Sequence, residues 1–315
     1  MRSHVLLAGE PMGLLMAKTE GRLEDVTEYS LAVAGAEFNV AVGLARLKHT
    51  VTYVTKLGND PFGKLISNVL NKNAIRNDRI FFTGDRPTGF MLKSLTQHGD
   101  PDIFYYRRGS AASTLSEQDV LSLPFDEYTH LHLTGILPAL TEQTRSATYM
   151  LLKCAEENGL MVTFDPNLRP QLWESHEVMV EVINDIASRA HIVMPGQAEG
   201  KILTGSEEPA EIARFYHERG VGTVIVKLCA KGAYYSDGKN AELVPGFTVP
   251  KVVDTVGAGD GFAVGFISAI QEGRSMREAV LRGNAVGAIQ VMSRGDNDGL
   301  PNREELAAFM GLSEL

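Results

Sequence analysis

The sequence predicts a three-layer α/β domain, with a mostly parallel sheet between helices and a small second β-sheet beside it. Three observations carry that expectation. Strand-like and helix-like periods alternate along nearly the whole chain. Runs such as "VTFD", "HIVM" and "TVIV" are apolar on both faces, as parallel strands covered by helices on two sides must be. Between residues 80 and 108 the alternation gives way to short β-rich pieces separated by Gly, Pro and Asp, the pattern of hairpins.

From the N-terminus, "HVLLAGE" reads as a buried strand ending in a turn, "YSLAVAG" as another strand, and "AEFNVAVGLARLK" as a helix by its apolar spacing. "TVTYVTKLG" is a strand, and "DPFGKLISNVLNKN" opens with Asp60 as cap and Pro61 in the first turn. The β-pieces at about 10–33 and 85–108 are expected to pair as the small sheet, a lid beside the main layer. Alternation then resumes. "THLHLTG", "LMVTFDPN" and "HIVMPG" are strands separated by the helices "TEQTRSATYMLLKCAEENG" and "HEVMVEVINDIASRA". A helix "EPAEIARFYHERG" leads into a strand and hairpin, "TVIVKLCAKGAYYSDG". No repeat, low-complexity tract or linker divides residues 1–315, so a single domain is expected.

Composition narrows the function classes. With 44% hydrophobic and 22% charged residues, 315 residues can bury a sizeable core. A net charge of −9 disfavours nucleic acid or an anionic membrane as partner. The apolar run in "MRSHVLLAGEPMG" is too short for a signal peptide, and no uncharged run is long enough to span a bilayer. A cytoplasmic protein is therefore expected. Cys154 and Cys229 stand far apart in apolar settings and read as buried thiols rather than a disulfide. Exposed lid strands would favour a homo-oligomer joined through their edges.

The chemistry concentrates in "VVDTVGAGDGFAVGFISAI", residues 252–270. Val252 and Val253 are expected to end an extended segment, Gly257 and Gly259 to let the backbone turn, and the small apolar run to form a buried helix. First-turn amides have no partners within a helix and sit at the positive end of its dipole, which makes an anion site. Asp260 lies beside it. The amides should keep this carboxylate ionised and a weak base, sufficient if a hydroxyl proton becomes acidic late in a loose phosphoryl transfer. An aspartate at a helix start is most often only a cap; the full glycine string and the small-residue helix favour the catalytic role.

"DTVGAGDGFAVGF" resembles the C-terminal signature of the ribokinase-like (PfkB) carbohydrate kinases, and "AGAEFNVAVGLARL" with "TKLGNDPFGKLI" resembles their N-terminal signature region. The resemblance covers nearly the whole chain. It implies a ribokinase-like fold, ATP with Mg²⁺ as cofactors, Asp260 as catalytic base, and Gly257, Ala258 and Gly259 as the anion hole. It also implies a monovalent cation such as K⁺ near Asp254.

Three further stretches bear on the substrate. "FYYRRGSAAS" brings Tyr105, Arg107 and Arg108; "AGAEFN" brings Gly35 and Asn39; and "FDPNLRPQLW" places Asp165, Asn167 and Arg169 just after a buried strand, at the edge where α/β sheets bind ligands. Two guanidinium forks suit a carboxylate. These stretches together are similar to the kinases of 2-keto-3-deoxygluconate, a sugar acid phosphorylated on its 6-hydroxyl. The similarity implies a substrate set of Gly35, Asn39, Phe90, Tyr105, Arg107, Arg169 and Asp260, with Phe90 standing where those kinases usually have Tyr. It assigns Lys227, Gly232 and Asn284, with Lys231 in reserve, to the nucleotide, and Glu199 to Mg²⁺ through water. Gly196 replaces the asparagine that usually accompanies that glutamate. His130, His132 and His191 lie on or beside strands and read as structural. A kinase for a neutral sugar such as fructose or ribose, and a non-catalytic sugar or nucleotide sensor, remain as alternatives. A dinucleotide oxidoreductase is disfavoured, because "LLAGEPMG" lacks Gly-x-Gly-x-x-Gly.

Overall fold

A computed structural model describes residues 3–96 and 101–315. Strand β1 (His4–Ala8) is buried at every position, as its unbroken apolar run requires. β2 (Met12–Glu20) and β3 (Tyr29–Ala34) pair antiparallel, and α1 (Ala36–Arg46) returns the chain to the core. β4 (Thr50–Gly58) runs parallel to β1 and is followed by α2 (Pro61–Lys72). Asp60 caps α2: its Oδ1 accepts from the Gly63 amide at 2.8 Å, while its Oδ2 accepts from the Thr88 amide at 2.7 Å. One carboxylate thus satisfies a helix terminus and pins the loop that enters the lid.

β5 (Ile80–Thr83), β6 (Phe90–Leu95) and β7 (Ile103–Tyr106) come next, then α3 (Glu117–Leu121), β8 (His130–Thr134), α4 (Leu137–Leu140) and α5 (Glu142–Glu157). β9 (Met161–Asp165), α6 (His176–Ser188), β10 (Ile192–Val193), α7 (Gln197–Thr204) and α8 (Pro209–His217) continue the alternation. β11 (Thr223–Lys227), β12 (Gly232–Ser236) and β13 (Ala241–Pro245) precede three helices, α9 (Ala258–Gln271), α10 (Met276–Gln290) and α11 (Arg303–Met310).

The central sheet has the order β13-β12-β11-β10-β9-β8-β1-β4-β5. It is parallel from β11 to β5, and β12 and β13 return antiparallel at one edge. Strand order reverses at β1, which pairs with β4 on one side and β8 on the other. The carboxyl ends of strands beside such a reversal diverge and leave a crevice. Two apolar layers cover the sheet. Leu151 of α5, Ile183 of α6 and Ile212 of α8 fill one side, and Leu44 of α1, Phe266 of α9 and Val286 of α10 the other. The small residues of α9 have a steric purpose here, since a Cβ on Gly265 would stand 2.3 Å from the Arg282 carbonyl oxygen of α10.

A second sheet, β3-β2-β6-β7, forms the lid from the segments expected to supply it. Residues 97–100 of that stretch lie outside the described residues. The structure corrects the sequence reading at three places. Residues 80–83, grouped with the hairpins, instead give β5, which extends the central sheet parallel to β4. The residues ahead of the glycine turn form no strand; Val252 and Val253 are 55% and 39% exposed, because no neighbouring strand reaches them. Cys229 is exposed, since β11 ends at Lys227 and the chain leaves the sheet there, whereas Cys154 is buried. No helix among the described residues is long and apolar enough to cross a membrane.

Asp60→Ala removes an acceptor from two backbone amides at once. It is expected to lower unfolding free energy by about 1–2 kcal/mol, read as a lower urea midpoint at unchanged m-value.

Candidate active site

Gly257 is the N-cap of α9 and takes φ 80°, a left-handed conformation in which a Cβ would meet the Asp296 carbonyl oxygen at 2.4 Å. Asp260 is therefore the third helical residue rather than the cap, and it is only 8% exposed. Two side-chain amides hold it: Asn39 Nδ2 donates to Oδ2 at 2.7 Å and Asn167 Nδ2 to Oδ1 at 3.3 Å. Asn39 is oriented in turn by Asn297, whose Nδ2 donates to its Oδ1 at 2.9 Å and to the Val33 carbonyl at 2.9 Å. Burial pushes the Asp260 pKa up to about 6, against the hydrogen bond from Asn39 and with help from the nearby Asp165 charge. This reverses the sequence expectation that turn amides would hold the carboxyl low. The desolvation of the buried carboxyl outweighs the donors that reach it.

A cleft of about 870 Å³ opens between the lid and the carboxyl ends of the central strands. Gly35, Asn39, Tyr105, Arg107, Arg169 and Asp260 line it, as do Glu199, Lys227, Gly232, Gly257, Ala258, Gly259 and Asn284. Phe90 does not. Side chains alternate along β6, so Met91 faces the cleft while Phe90 stacks between Phe62 and Tyr106 with centroids 5.4 and 4.7 Å away. The position expected to contact substrate is thus part of an aromatic stack on the opposite face of the lid. Asp254 also lies off the cleft, paired with Lys93. Arg108 and Lys231 are exposed.

Several cleft side chains are already engaged. Arg107 Nε donates to Glu10 Oε2 at 2.6 Å, and its Nη2 is ion-paired with the same oxygen. Arg169 Nη1 donates to the carbonyls of Asn167 at 3.3 Å and Leu168 at 2.9 Å. Lys227 reaches Asp165 Oδ2 at 2.5 Å. Burial pulls its pKa down, but the Asp165 and Glu199 charges outweigh that and hold it above the usual lysine value. Asn284 Nδ2 donates to the carbonyls of Val244 and Pro245, both at 3.1 Å, and so fixes β13 against α10.

Glu199 accepts from the amides of Gly196 at 2.7 Å and Leu168 at 2.8 Å, and burial raises its pKa. The Asp165 Oδ1 atom is buried without a partner. No cluster of three acidic, His or Cys side chains able to cage a metal occurs among the described residues. An ion that keeps its waters and binds through one or two carboxylates plus phosphates fits this pair, and Mg²⁺ is such an ion. His130 and His132 hydrogen-bond to the Thr163 hydroxyl, and burial drives both pKa values to about 3, leaving them neutral and structural.

Sequence reasoning missed Glu10, Lys93, Asp296 and Asn297 as contributors. Glu10 follows β1 at the sheet's carboxyl edge, a placement that could have flagged it.

A cleft of nucleotide size, a glycine turn opening a helix and a buried carboxylate beside it define the chain as a ribokinase-like sugar kinase. The pfkB family carbohydrate kinase pattern matches residues 3–303, and the chain belongs to that family. It is 45% identical over 311 residues to the 2-dehydro-3-deoxygluconokinase of Bacillus subtilis (strain 168), covering 98% of this chain and 96% of that one. Among solved structures, a PfkB protein from Polaromonas sp. JS666 superposes with a TM-score of 0.90 at 40% identity, over 97% of this chain and 99% of the other. A double-mutant fructokinase from Vibrio cholerae O395, bound to fructose, ADP and a potassium ion, gives a TM-score of 0.87 at 26% identity over 98% of each chain.

Because burial raises the Asp260 pKa from 3.8 to about 6, the ionised carboxylate costs the folded state stability. The side chain's contribution is intact below its unfolded pKa and is lost as pH rises through about 6. Asp260→Asn should therefore match the wild type near pH 4 and exceed its unfolding free energy by about 2 kcal/mol near pH 7.5. Urea titrations at the two pH values test this.

Proposed function

We propose that the protein transfers the γ-phosphoryl group of ATP to the 6-hydroxyl of 2-keto-3-deoxygluconate. One observation carries the acid-substrate reading: Arg107 and Arg169 line the same cleft as Asp260, so two guanidinium groups stand at the end of the cleft opposite the candidate base. A carboxylate is the group that a guanidinium fork pairs with best. The Bacillus relative, named for phosphorylating this acid, adds support at 45% identity.

In this reading the sugar acid lies under the lid, between Tyr105, Arg107 and Arg169 at one end and Asp260 at the other. Asn39 and Asn167 aim the Asp260 carboxylate at the acceptor hydroxyl, and the carboxylate takes that proton as the oxygen attacks phosphorus. Amides of Gly257–Gly259 stabilise the charge on the transferred group. The nucleotide lies along Gly232, Gly257 and the wall that Asn284 holds in place. Asp165 and Glu199 would hold Mg²⁺, which would supply charge neutralisation at the phosphates. Lys227 orients Asp165 for that task. The lid excludes water, which limits futile ATP hydrolysis.

The fructose-bound Vibrio structure favours a second reading, a neutral hexose kinase. A coupled assay of ATP consumption against keto-deoxy sugar acids, neutral hexoses and pentoses separates the two. Arg169→Ala should raise KM for the acid by about 10- to 100-fold, the worth of a charged hydrogen bond, with little change for ATP. Equal changes for both substrates would count against carboxylate recognition. In the wild type kcat/KM should fall tenfold per pH unit below about 6, where Asp260 is protonated.

A further inference from the structure

Two loops meet beneath the glycine turn. The amides of Val253 and Asp254 both donate to the Val291 carbonyl, at 2.8 and 3.3 Å, and Gln290 Nε2 donates to the Gly295 carbonyl at 2.9 Å. Each loop contributes a carboxylate. Asp254 Oδ1 accepts from the Val256 amide at 3.0 Å, which shapes the first residues of the turn. The Asp296 backbone lies against Gly257 itself. Two buried carboxylates in one place repel each other and require a cation.

That cation belongs to the chain. Lys93, on lid strand β6, extends its ammonium to Asp254 Oδ2 at 2.6 Å and Asp296 Oδ1 at 3.1 Å, and the residue is 4% exposed. β6 alternation aims it inward beside Met91, opposite Ile103 of β7. A monovalent metal ion acting through Asp254 would need Oδ2, and the ammonium already occupies that oxygen. The residues present therefore do not fit the separate K⁺ that the family resemblance implies near Asp254. An ammonium and K⁺ are close in size and equal in charge, so one substitutes for the other sterically and electrostatically.

We infer that the Lys93 ammonium replaces a free monovalent cation under the anion-binding turn, making this kinase independent of K⁺ and tying the turn's geometry to the lid. Lys93 is a positioning residue: it touches neither substrate nor nucleotide but holds the loop whose amides do. The inference rests on the kinase reading for its catalytic consequence only, because cation binding to the loops can be read without substrate.

The experiment compares wild type with Lys93→Met and Lys93→Arg in buffers containing only Na⁺ or with K⁺ or NH₄⁺ added. Thermal unfolding without ligands comes first. Wild-type Tm should be the same in Na⁺ and K⁺, whereas Lys93→Met should gain several degrees in K⁺ or NH₄⁺. Turnover on whichever sugar the panel identifies follows. Wild-type kcat should change less than about twofold with K⁺. Lys93→Met should lose on the order of 100-fold in kcat in Na⁺, from a misplaced turn, and regain at least about tenfold with K⁺ or NH₄⁺. Lys93→Arg should keep its kcat without K⁺. Wild-type stimulation by K⁺ of more than about fivefold overturns the inference whether or not the variants fold. So does a Lys93→Met enzyme with normal kcat in Na⁺, or one whose Tm and kcat ignore K⁺ and NH₄⁺. Failure of the substrate assignment leaves the Tm comparison intact, so the two ideas fail separately.

Discussion

The constraint on which this structure depends is a carboxylate buried in the first turn of a helix. Asp260 can stay there only if fixed dipoles replace the water it has lost, since an unpaired buried charge costs several kcal/mol. The replacements come from distant parts of the chain: Asn39 from α1 and Asn167 from the loop after β9. Their convergence obliges α1, α9 and the end of β9 to meet at one point. Close approach is possible because glycines stand at the contacts of α9: a Cβ on Gly43 of α1 would collide with Val264 of α9 at 2.4 Å, and one on Gly265 of α9 with the Arg282 carbonyl oxygen at 2.3 Å. The small-residue composition of α9 is thus a packing requirement that serves the site.

Charge at the cleft floor shows a second constraint. Asp165, Glu199 and Asp260 face Lys227 and Arg169, and one oxygen of Asp165 has no partner. Nearby Glu37 is buried, with one oxygen bonded to the Thr134 hydroxyl, and burial lifts its pKa to about 7. The Asp165 charge adds to the burial that raises the Asp260 pKa, and the acidic excess makes the floor a poor site for a bare triphosphate. It is a good site for one that arrives with a divalent cation. The same logic separates the two arginines from the lysine. Lys227 is a point charge paired with Asp165, whereas Arg107 is a five-donor fork of which Glu10 engages only Nε and Nη2. In the proposed reaction, the substrate carboxylate is for that reason better assigned to the arginines.

The alternating layers, the lid strands and the glycine-turn helix were legible because each leaves a periodic or compositional trace in the sequence. The Asp60 cap was equally plain, being a local signal. What stayed hidden depends on three-dimensional pairing. Phe90 was placed at the substrate because "TGFMLK" resembles a substrate stretch, but which side of β6 faces the cleft follows from register with β2 and β7. The direction of the Asp260 shift depends on how completely the carboxyl is buried, which a motif does not encode. The Lys227–Asp165 pair left no local trace, because the two residues lie 62 positions apart.

Lid attachment follows from the same pairings. The Asp60–Thr88 contact fixes the entry to β6, the Glu10–Arg107 pair ties the exit of β7 to the strand end of β1, and Lys93 joins the middle of β6 to the loops under the turn. Three anchors spread across one small sheet resist rotation about any single hinge. A sheet so held cannot swing away as a rigid flap without breaking a buried ion pair, which costs several kcal/mol.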